Sequence, residues 1–373
     1  MIKVCHMTSA HNPEDVRIFH KECVSLAQAG FEVNLVERGK SYTKYGVNII
    51  GVGDKKGSRL KRMLLTTRAV YRQAVKVDAD IYHFHDPELL PYGLLLKWKG
   101  KKVIFDRHEN YYRQISIKSY INPLLRRLIA SFYRIFEAFV CKRIDGVIVV
   151  VDYKGKDPGF NVTCKKKVAI ANYPRLDQFN FNNIREITDK NADYFCYVGS
   201  LTYERGIVHL IRLAGALKMK LVLAGSFPSS VLEDNIKNMP EYKYVDYLGV
   251  LPAEEIKNVL AGACAGMATL LKIGQYAHLH ERPIKVYEYM AMGLPVVLSD
   301  ISTNIEFIKK YPVGFTVDPE NIDEMKKCIE YIVNHKDEAR KMGETGIKAV
   351  REVFNWEAEA KKLVDFYHEI LNA

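Results

Sequence analysis

The segment 282–300 carries the residues with the most specific chemistry in the chain. Lys285 and Glu288 lie three residues apart in a stretch that predicts a helix, so their side chains share one face. Pro283 suits the first position of this helix and Gly293 its left-handed end, and a short apolar strand follows. A helix start and a lysine can bind phosphate, while a carboxylate one turn deeper can accept two ribose hydroxyls. The alternative is an exposed ion pair on an ordinary helix.

This segment resembles the signature of the retaining glycosyltransferases of family 4. There a glutamate, seven residues and a second glutamate precede a small-residue turn ending in Gly-x-Pro-Val, and Glu288 occupies the second glutamate position. The resemblance implies that Glu288 binds the nucleotide ribose and that the first position contacts the transferred sugar. His280 stands at that first position, and Glu281 is one place out of register, about 100° away on a helix. His280 is therefore a candidate catalytic residue, and the change allows a different sugar preference.

A glycine turn between a strand and a helix supplies a second set of candidates. The stretch 197–206 passes through Gly199, Ser200 and Arg205 before a helix that starts at Ile207. It resembles the loop of the same family that binds the donor diphosphate, where one basic residue follows the first glycine and another precedes the second. Ser200 occupies the first of these positions and Arg205 the second, and arginine can hold phosphate through two hydrogen bonds. The alternative is a solvated Arg205 beside a turn.

Polar residues also follow a strand in the first half of the chain. His108 and Glu109 come directly after the strand that contains Asp106, and ligands bind at the carboxyl ends of parallel strands. In family 4 a His-Asp or His-Glu pair at this place points into the cleft, and the histidine contacts the donor sugar. The resemblance makes His108 and Glu109 candidate catalytic residues, against the alternative that His108 is a structural histidine.

Two loops of the first half resemble segments that shape the acceptor side. Asp15 and Arg17, with Ile18, match the Asp-x-Arg-Ile pattern of one subgroup, and His85 and Asp86 belong to a common His-Asp-Pro-Glu segment. Asp15 has the alternative interpretation of an acidic residue favoured at a helix start.

A metal site near His83 and His85 is the alternative interpretation of the second loop, because the two histidines lie two residues apart among carboxylates. The chemistry of the family needs no bound metal, and further ligands are not evident in the sequence. We expect no metal and no cofactor, with a nucleotide-diphosphate sugar as the donor substrate.

Length and composition favour a two-domain globular protein. The chain has 373 residues, of which 48% are hydrophobic. No apolar run reaches the roughly 18 to 20 residues that span a bilayer, and the first residues do not form a signal-peptide pattern. Seven scattered cysteines suggest thiols in a reducing compartment. We expect a cytoplasmic protein.

The positive charge is confined to the first half. Residues 1–150 carry 26 Lys and Arg against 14 Asp and Glu, whereas residues 151–373 carry 29 against 30. The stretch 117–144 combines apolar residues at three- and four-residue steps with interleaved cations. It predicts either a peripheral contact with anionic lipid at the inner face of the plasma membrane or a core-facing helix with a solvated cationic side. A nucleic-acid partner is not expected, because no binding module is recognisable.

Strand-like and helical stretches alternate twice, which predicts open parallel sheets covered on both faces. The predicted strands are 2–7, 32–36, 47–52, 81–84, 103–106, 147–151, 194–198, 221–224, 245–248, 266–270, 296–299 and 314–317. A polar stretch, 152–175, is predicted as the link between the domains. The resemblance implies the B-type glycosyltransferase fold, an α/β fold with two facing Rossmann-like, doubly wound domains and a central cleft. Residues 1–172 would bind the acceptor, with helix 356–373 packing back on them, and residues 173–355 would bind the nucleotide sugar.

The resulting hypothesis is a retaining, metal-independent glycosyltransferase of the hexosyltransferase type. It would move a sugar from a nucleotide-diphosphate sugar to a saccharide or lipid-pyrophosphate-linked acceptor in cell-surface polysaccharide synthesis. Two alternatives stay open: a sugar-nucleotide epimerase of the same fold, and a non-catalytic protein that binds sugar nucleotides.

Overall fold

A computed structural model describes residues 1–54, 59–108, 111–117, 122–151, 163–181, 193–274, 276 and 281–373. The predicted catalytic residues Glu109 and His280 lie outside the described residues. The chain divides into two compact units. The first unit comprises Met1–Asn172 and Trp356–Ala373, and the second comprises Tyr173–Asn355.

The first unit is built on a sheet whose described strands run in the order β3-β4-β2-β1-β5-β6-β7-β8. Strand β3 pairs antiparallel with β4, and every other described pair in this sheet is parallel. The strands are β1 (Lys3–Met7), β2 (Glu32–Glu37), β3 (Tyr42–Lys44), β4 (Val47–Gly51), β5 (Ile81–Phe84), β6 (Lys102–Arg107), β7 (Gly146–Val149) and β8 (Lys167–Ala169).

Helices cover both faces of this sheet. A π-helical segment, Val16–Cys23, leads into the first α-helix. The α-helices are α1 (Val24–Gln28), α2 (Arg59–Val77), α3 (Leu90–Trp98), α4 (Tyr111–Ile117), α5 (Pro123–Cys141) and α13 (Trp356–Leu371). Alternate residues of β1 enter different cores: Val4 packs with α1 and α13, whereas Cys5 packs with α2, α3 and α5. The strand is therefore buried on both faces, as a parallel sheet requires.

The second unit has a parallel sheet with the strand order β11-β10-β9-β12-β13-β14. Its strands are β9 (Tyr194–Val198), β10 (Lys220–Ala224), β11 (Val245–Tyr247), β12 (Gly266–Ala268), β13 (Val296–Ser299) and β14 (Gly314–Val317). Its helices are α6 (Ile207–Leu217), α7 (Ser230–Lys237), α8 (Ala253–Ala261), α9 (Ile284–Ala291), α10 (Ser302–Lys310), α11 (Ile322–Asn334) and α12 (Lys336–Glu352). Two apolar clusters, one on each face of the sheet, form the core of this unit.

All twelve predicted strands are present, each with ends within two residues of the prediction. Strands β3 and β8 were not predicted, and β8 lies inside the stretch that the sequence assigns to the link. The placement of Pro283 is also corrected. Its ψ of 144° is extended, so Pro283 caps helix α9, which begins at Ile284. Gly293 has the predicted left-handed conformation, with φ of 66°.

Candidate functional site

The loop after β9 is shaped by glycines that leave space beside the end of the strand. Gly199 has φ of +126°, and Gly206, with φ of +76°, precedes helix α6. A methyl group at Gly206 would lie 2.3 Å from the carbonyl oxygen of Thr269, so this position excludes larger residues. The N–H of Val198 donates to the Tyr289 hydroxyl at 3.0 Å, which attaches the end of the strand to helix α9.

Two cations converge on Gly199. A methyl group at Gly199 would lie 2.8 Å from Lys285 Nζ and 3.6 Å from a terminal nitrogen of Arg205. Arg205 Nε donates to the Tyr276 hydroxyl at 3.1 Å, and Lys285 Nζ lies 3.6 Å from the centre of the Tyr197 ring. We call Gly199, Arg205 and Lys285 the cation pocket. Its elements are the loop after β9 and the first turn of α9.

Lys285 is only 5% exposed, and within the described residues its Nζ has no hydrogen-bond partner. Burial, followed by the positive charge of Arg205, holds the pKa of Lys285 well below its usual value, while Glu288 acts in the opposite direction. A buried amine without a partner is costly in either protonation state, and an anion beside it would stabilise the charged form and remove much of that cost. The pocket is therefore arranged to bind an anion such as a diphosphate.

The other predicted residues of the second unit lie around this pocket. Glu288 is half-buried on α9, three residues after Lys285. The Ser200 side chain is exposed, and its carbonyl accepts from the Tyr197 hydroxyl at 3.1 Å. Glu281 accepts from the Tyr287 hydroxyl and from the N–H of Arg282, which ties it to the start of α9. The roles of Glu288 and Ser200 in donor binding stay predictions.

In the first unit, Asp106 at the end of β6 is fully buried and receives Arg17. Arg17 Nε and Nη2 donate to its two carboxylate oxygens at 3.0 and 3.2 Å, which is bidentate geometry. The third nitrogen of Arg17 donates to the Ile170 carbonyl at 3.1 Å, and Glu22 lies 3.0 Å from Nε. Arg17 is thus occupied by buried partners, and it positions Asp106 and the strand ends.

Asp15 begins the π-helical segment that carries Arg17. Its carboxylate accepts from the N–H groups of Arg17 and Ile18 at 2.9 and 3.0 Å, which is N-cap geometry. The Asp15 carbonyl accepts from Phe19 at 2.9 Å and from His20 at 3.3 Å, so the first turn is wide. The structure gives Asp15 the capping role that the sequence left as an alternative.

Arg17 lies beside two buried carboxyl groups, and their pKa values are shifted in opposite directions. Burial opposes ionisation of Asp106, but the charge of Arg17 outweighs it, so the pKa of Asp106 lies well below its usual value. Burial, and then the negative charge of Asp106, raise the pKa of Glu22 well above its usual value. Asp106 therefore carries the negative charge and Glu22 the proton.

A chain of histidines extends from Asp106 into the core. We call it the histidine network. His108 Nε2 lies 3.2 Å from Asp106 Oδ2 and 3.1 Å from His85 Nδ1. His85 contacts His6 at 2.9 Å, His6 contacts the Tyr367 hydroxyl at 3.1 Å, and that hydroxyl contacts His83 at 2.8 Å.

Burial lowers the pKa of each histidine in the network, in the case of His108 to about 3. All four imidazoles are therefore neutral near pH 7. His108 is the one that reaches the surface, with 12% of its side chain exposed. A neutral imidazole whose Nε2 faces Asp106 and His85 can offer its other nitrogen to a ligand hydroxyl.

The loop after β1 is anchored on Asp86, which is 1% exposed. Asp86 accepts from the N–H of Ser9 and, at 2.9 Å, from the hydroxyl of Thr8. His11 Nδ1 lies 2.9 Å from its other oxygen. Burial opposes protonation of His11, but the hydrogen bond and charge of Asp86 outweigh it and raise the pKa of His11. His11 also stacks near His108, with ring centres 5.3 Å apart.

Two groups in the described residues bring possible metal-ligand atoms close together. His6, Glu22, His83 and His85 present ligand atoms that all lie within 4.8 Å of one another, and His85, Asp106 and His108 do the same. Hydrogen bonds already use at least one nitrogen of each of these histidines. The expectation that no metal is bound stays a prediction.

The structure thus gathers the predicted residues in two places. Gly199, Arg205 and Lys285 form the cation pocket, with Ser200 and Glu288 beside it. At the carboxyl ends of β1, β5 and β6 it brings together Arg17, His85, Asp86 and His108, of which the first three are buried. Sequence reasoning missed His11, His6 and Tyr367. His11 lies in the loop after β1, at the carboxyl edge of the sheet, and this position was the available signal for it.

Comparison with known proteins covers both units. The family model "Glycosyl transferases group 1" matches residues 180–349, and "Glycosyltransferase Family 4" matches residues 17–153. A 197-residue stretch is 27% identical to an uncharacterized glycosyltransferase of Methanocaldococcus jannaschii, covering 51% of this chain and 48% of that protein, so this match spans about half the length of the relative. The O-antigen chain mannosyltransferase C of Escherichia coli is 20% identical over 314 residues, which cover 80% of this chain and 78% of that protein.

Solved structures share the fold at low sequence identity. Sucrose-phosphate synthase from Thermosynechococcus elongatus has a TM-score of 0.80 at 17% identity, with both chains fully covered. HepE from Anabaena, solved in complex with UDP-glucose, has a TM-score of 0.72 at 11% identity, with 99% and 100% coverage. The fold is therefore the B-type glycosyltransferase fold, with two α/β domains that are each built on a mainly parallel sheet, as predicted. The chain belongs to the family-4 type of glycosyltransferases.

Proposed function

We propose that the chain transfers a hexose, with retention of anomeric configuration, from a nucleotide-diphosphate sugar to a saccharide or lipid-pyrophosphate-linked acceptor. The observation that carries this proposal is the buried Lys285 Nζ, which has no described hydrogen-bond partner and lies beside Arg205 at Gly199. The HepE structure with UDP-glucose gives an example of a donor bound on this fold.

The cation pocket would act on the leaving group. In the proposed reaction the bond between the anomeric carbon and the diphosphate oxygen breaks, and the acceptor oxygen bonds to the anomeric carbon on the same face. The acceptor proton passes to the departing phosphate, so no protein nucleophile is needed. Negative charge develops on the diphosphate, and Arg205 and Lys285 are already placed to stabilise it. Glu288, on the same helix as Lys285, would accept the ribose hydroxyls.

The first unit would bind the acceptor, and neutral His108 would hydrogen-bond a hydroxyl of the transferred sugar. His108 contacts Asp106 and His85, and Arg17 in turn holds Asp106. These three residues would position His108 without touching the sugar. The E. coli relative is an O-antigen chain mannosyltransferase by name, which supports a role in cell-surface polysaccharide synthesis.

The reaction is proposed for the cytoplasm, at the inner face of the plasma membrane. All seven cysteines are free thiols, as in a reducing compartment. In the described part of the chain, no helix has both the length and the apolar run needed to cross a bilayer.

A panel of UDP-, GDP- and ADP-sugars tests donor binding through the melting temperature. A donor present at 100 times its dissociation constant adds about 2.7 kcal/mol to the free energy of unfolding. The stabilising donor is then incubated with and without saccharide acceptors, and the products are separated. A new α- or β-linkage matching the donor supports a retaining transferase. An epimer formed without acceptor identifies an epimerase, and binding without any product favours a binding protein. Elemental analysis and activity in EDTA test the expected independence from metal.

A further inference from the structure

Helix α5 turns an apolar stripe away from the core of the first unit. The side chains of this stripe are between 40% and 71% exposed: Leu124, Leu125, Leu128, Ile129, Phe132, Ile135 and Phe139. The buried residues Ala130, Glu137 and Cys141 lie on the opposite side of the helix at about 100° per residue. Packing against the core therefore does not explain this stripe, although the sequence allowed that interpretation.

The surface beside the stripe is cationic. Arg127, Arg134, Lys142 and Arg143 are exposed on α5 and just after it. The acidic residue of segment 122–143 is Glu137, which is 4% exposed and accepts from Arg107 at 2.8 Å and from Tyr133 at 2.7 Å. The exposed side chains of this described segment thus combine large apolar groups with positive charges and carry no negative charge.

The chain topology places the start of this stripe at the functional edge of the sheet. A helix between two parallel strands runs from the carboxyl edge of the sheet back to its amino edge. Helix α2 lies between β4 and β5 in this way, and α5, the second helix after β6, ends five residues before β7 and therefore begins on the side of the carboxyl edge. The first turns of α2 add three exposed apolar residues, Met63, Leu64 and Leu65, at 38% to 58% exposure. His108 and Asp86 also follow strands at this edge.

We propose that α5 docks the protein on an anionic lipid bilayer. The apolar stripe would enter the boundary between headgroups and acyl chains, and the flanking arginines and lysine would contact lipid phosphates. The helix would then lie in the plane of the surface, which brings the carboxyl edge of β6 near lipid-linked molecules. This proposal goes beyond the transfer reaction and does not depend on donor binding.

Charge complementarity favours lipid over the other possible occupants. In a symmetric pair of α5 helices, each stripe would meet its own copy and bring two sets of cations together without exposed acids on the helix. Nucleic acid would pair with the cations but would leave leucine and isoleucine side chains without a suitable partner. An anionic bilayer satisfies the charges and the apolar stripe together.

Co-sedimentation with vesicles tests the proposal. The full chain is mixed with vesicles of phosphatidylcholine alone or of phosphatidylcholine with phosphatidylglycerol. We expect binding to the anionic vesicles that weakens as salt is added. The triple variant Leu128→Ser, Phe132→Ser, Ile135→Ser should lower the partition coefficient by at least about tenfold. Neutralising Arg127→Gln and Arg134→Gln should lower it about fivefold per cation on anionic vesicles only.

A matched control removes apolar side chains of similar exposure from the second unit. Val231 and Val250 are 68% and 74% exposed, and the variant Val231→Ser, Val250→Ser should bind vesicles like the unchanged protein. Melting temperature and donor affinity, measured on every variant, show that the fold is retained. Equal vesicle binding by the triple variant and the parent would overturn the proposal, as would no vesicle binding by the parent. A dimer that the triple variant converts to a monomer would also overturn it, because the stripe would then join two copies. Loss of donor binding with vesicle binding intact would affect the proposed function alone.

Discussion

Replacing Lys285 with methionine should stabilise the protein without donor and weaken donor binding at the same time. Lys285 is buried in the second unit, and among the described residues its Nζ has no hydrogen-bond partner. Methionine keeps a similar length and removes the charge. A variant that is more stable than the parent but binds donor more weakly identifies Lys285 as a ligand-binding lysine, because loss of a structural lysine would lower the stability.

The expected magnitudes follow from the contacts of Lys285. Removing an unsatisfied buried polar group recovers about 1 to 3 kcal/mol, while losing the cation–π contact with Tyr197, 3.6 Å away, costs about 0.5 to 2 kcal/mol. We expect a net gain of about 1 kcal/mol, which raises the melting temperature by about 2 to 4 °C in a unit of this size. A lost charge-assisted hydrogen bond to phosphate costs about 1.5 to 3 kcal/mol, or about 10- to 150-fold in donor affinity.

Differential scanning fluorimetry and isothermal titration calorimetry with the stabilising donor measure both quantities. Lys237→Met is the matched control, since Lys237 lies on the surface of the same unit and pairs with Glu233 at 2.7 Å. It should change stability by less than about 1 kcal/mol and leave donor affinity unchanged. A Lys285→Met variant that melts at a lower temperature and binds donor as tightly as the parent would show that Lys285 is a structural residue.

Three further predictions concern backbone, ion pairs and pH. Gly199→Ala should lower the free energy of unfolding by about 1 to 3 kcal/mol in urea, because φ at this position is +126°. It should also abolish measurable donor binding, because the added methyl group would lie 2.8 Å from Lys285 Nζ. The control variant Gly249→Ala, with φ of +69° and open space around it, should retain donor binding. Arg17→Ala should destabilise by about 3 to 5 kcal/mol in the same assay, because it leaves Asp106 buried without its cation; a loss below about 1 kcal/mol would contradict the assigned role. The pKa of His108 is about 3 in the folded protein and about 6.5 in the unfolded chain, so between these pH values only the unfolded chain protonates this histidine. The free energy of unfolding therefore falls as the pH is lowered from about 6.5 towards 3, and at pH 5.5 His108 accounts for a loss of about 1.4 kcal/mol. The loss between pH 7.5 and 5.5 should shrink by that amount in His108→Gln, and an unchanged loss would contradict the neutral state.

The sequence predicted the fold well because its signals are local. The central strands are apolar runs between turn residues, and each of them is present. Strands β3 and β8 are three-residue edge strands of the first sheet. Neither of these two strands contains a buried residue, so both lack the apolar run by which the central strands are recognised.

The site was predictable where a motif is contiguous and was missed where contacts are distant. Gly199 and Arg205 lie in one loop, and Lys285 belongs to a recognisable helix start. The histidine network instead depends on Tyr367, which is 361 residues from His6 and reaches it through the packing of α13 on the first unit. A helical period likewise shows that α5 is amphipathic without showing which side meets the core, so the exposure of Phe132 emerged from the structure alone.

A structure of the protein with its stabilising nucleotide sugar bound would show whether the cation pocket holds the diphosphate. The measured quantities are the distances from the diphosphate oxygens to Lys285 Nζ and to the Arg205 guanidinium. We expect both distances to be within about 3.2 Å, the range of a hydrogen bond, with the diphosphate beside Gly199. A donor bound elsewhere in the second unit, with Lys285 Nζ still buried and without a phosphate contact, would contradict it.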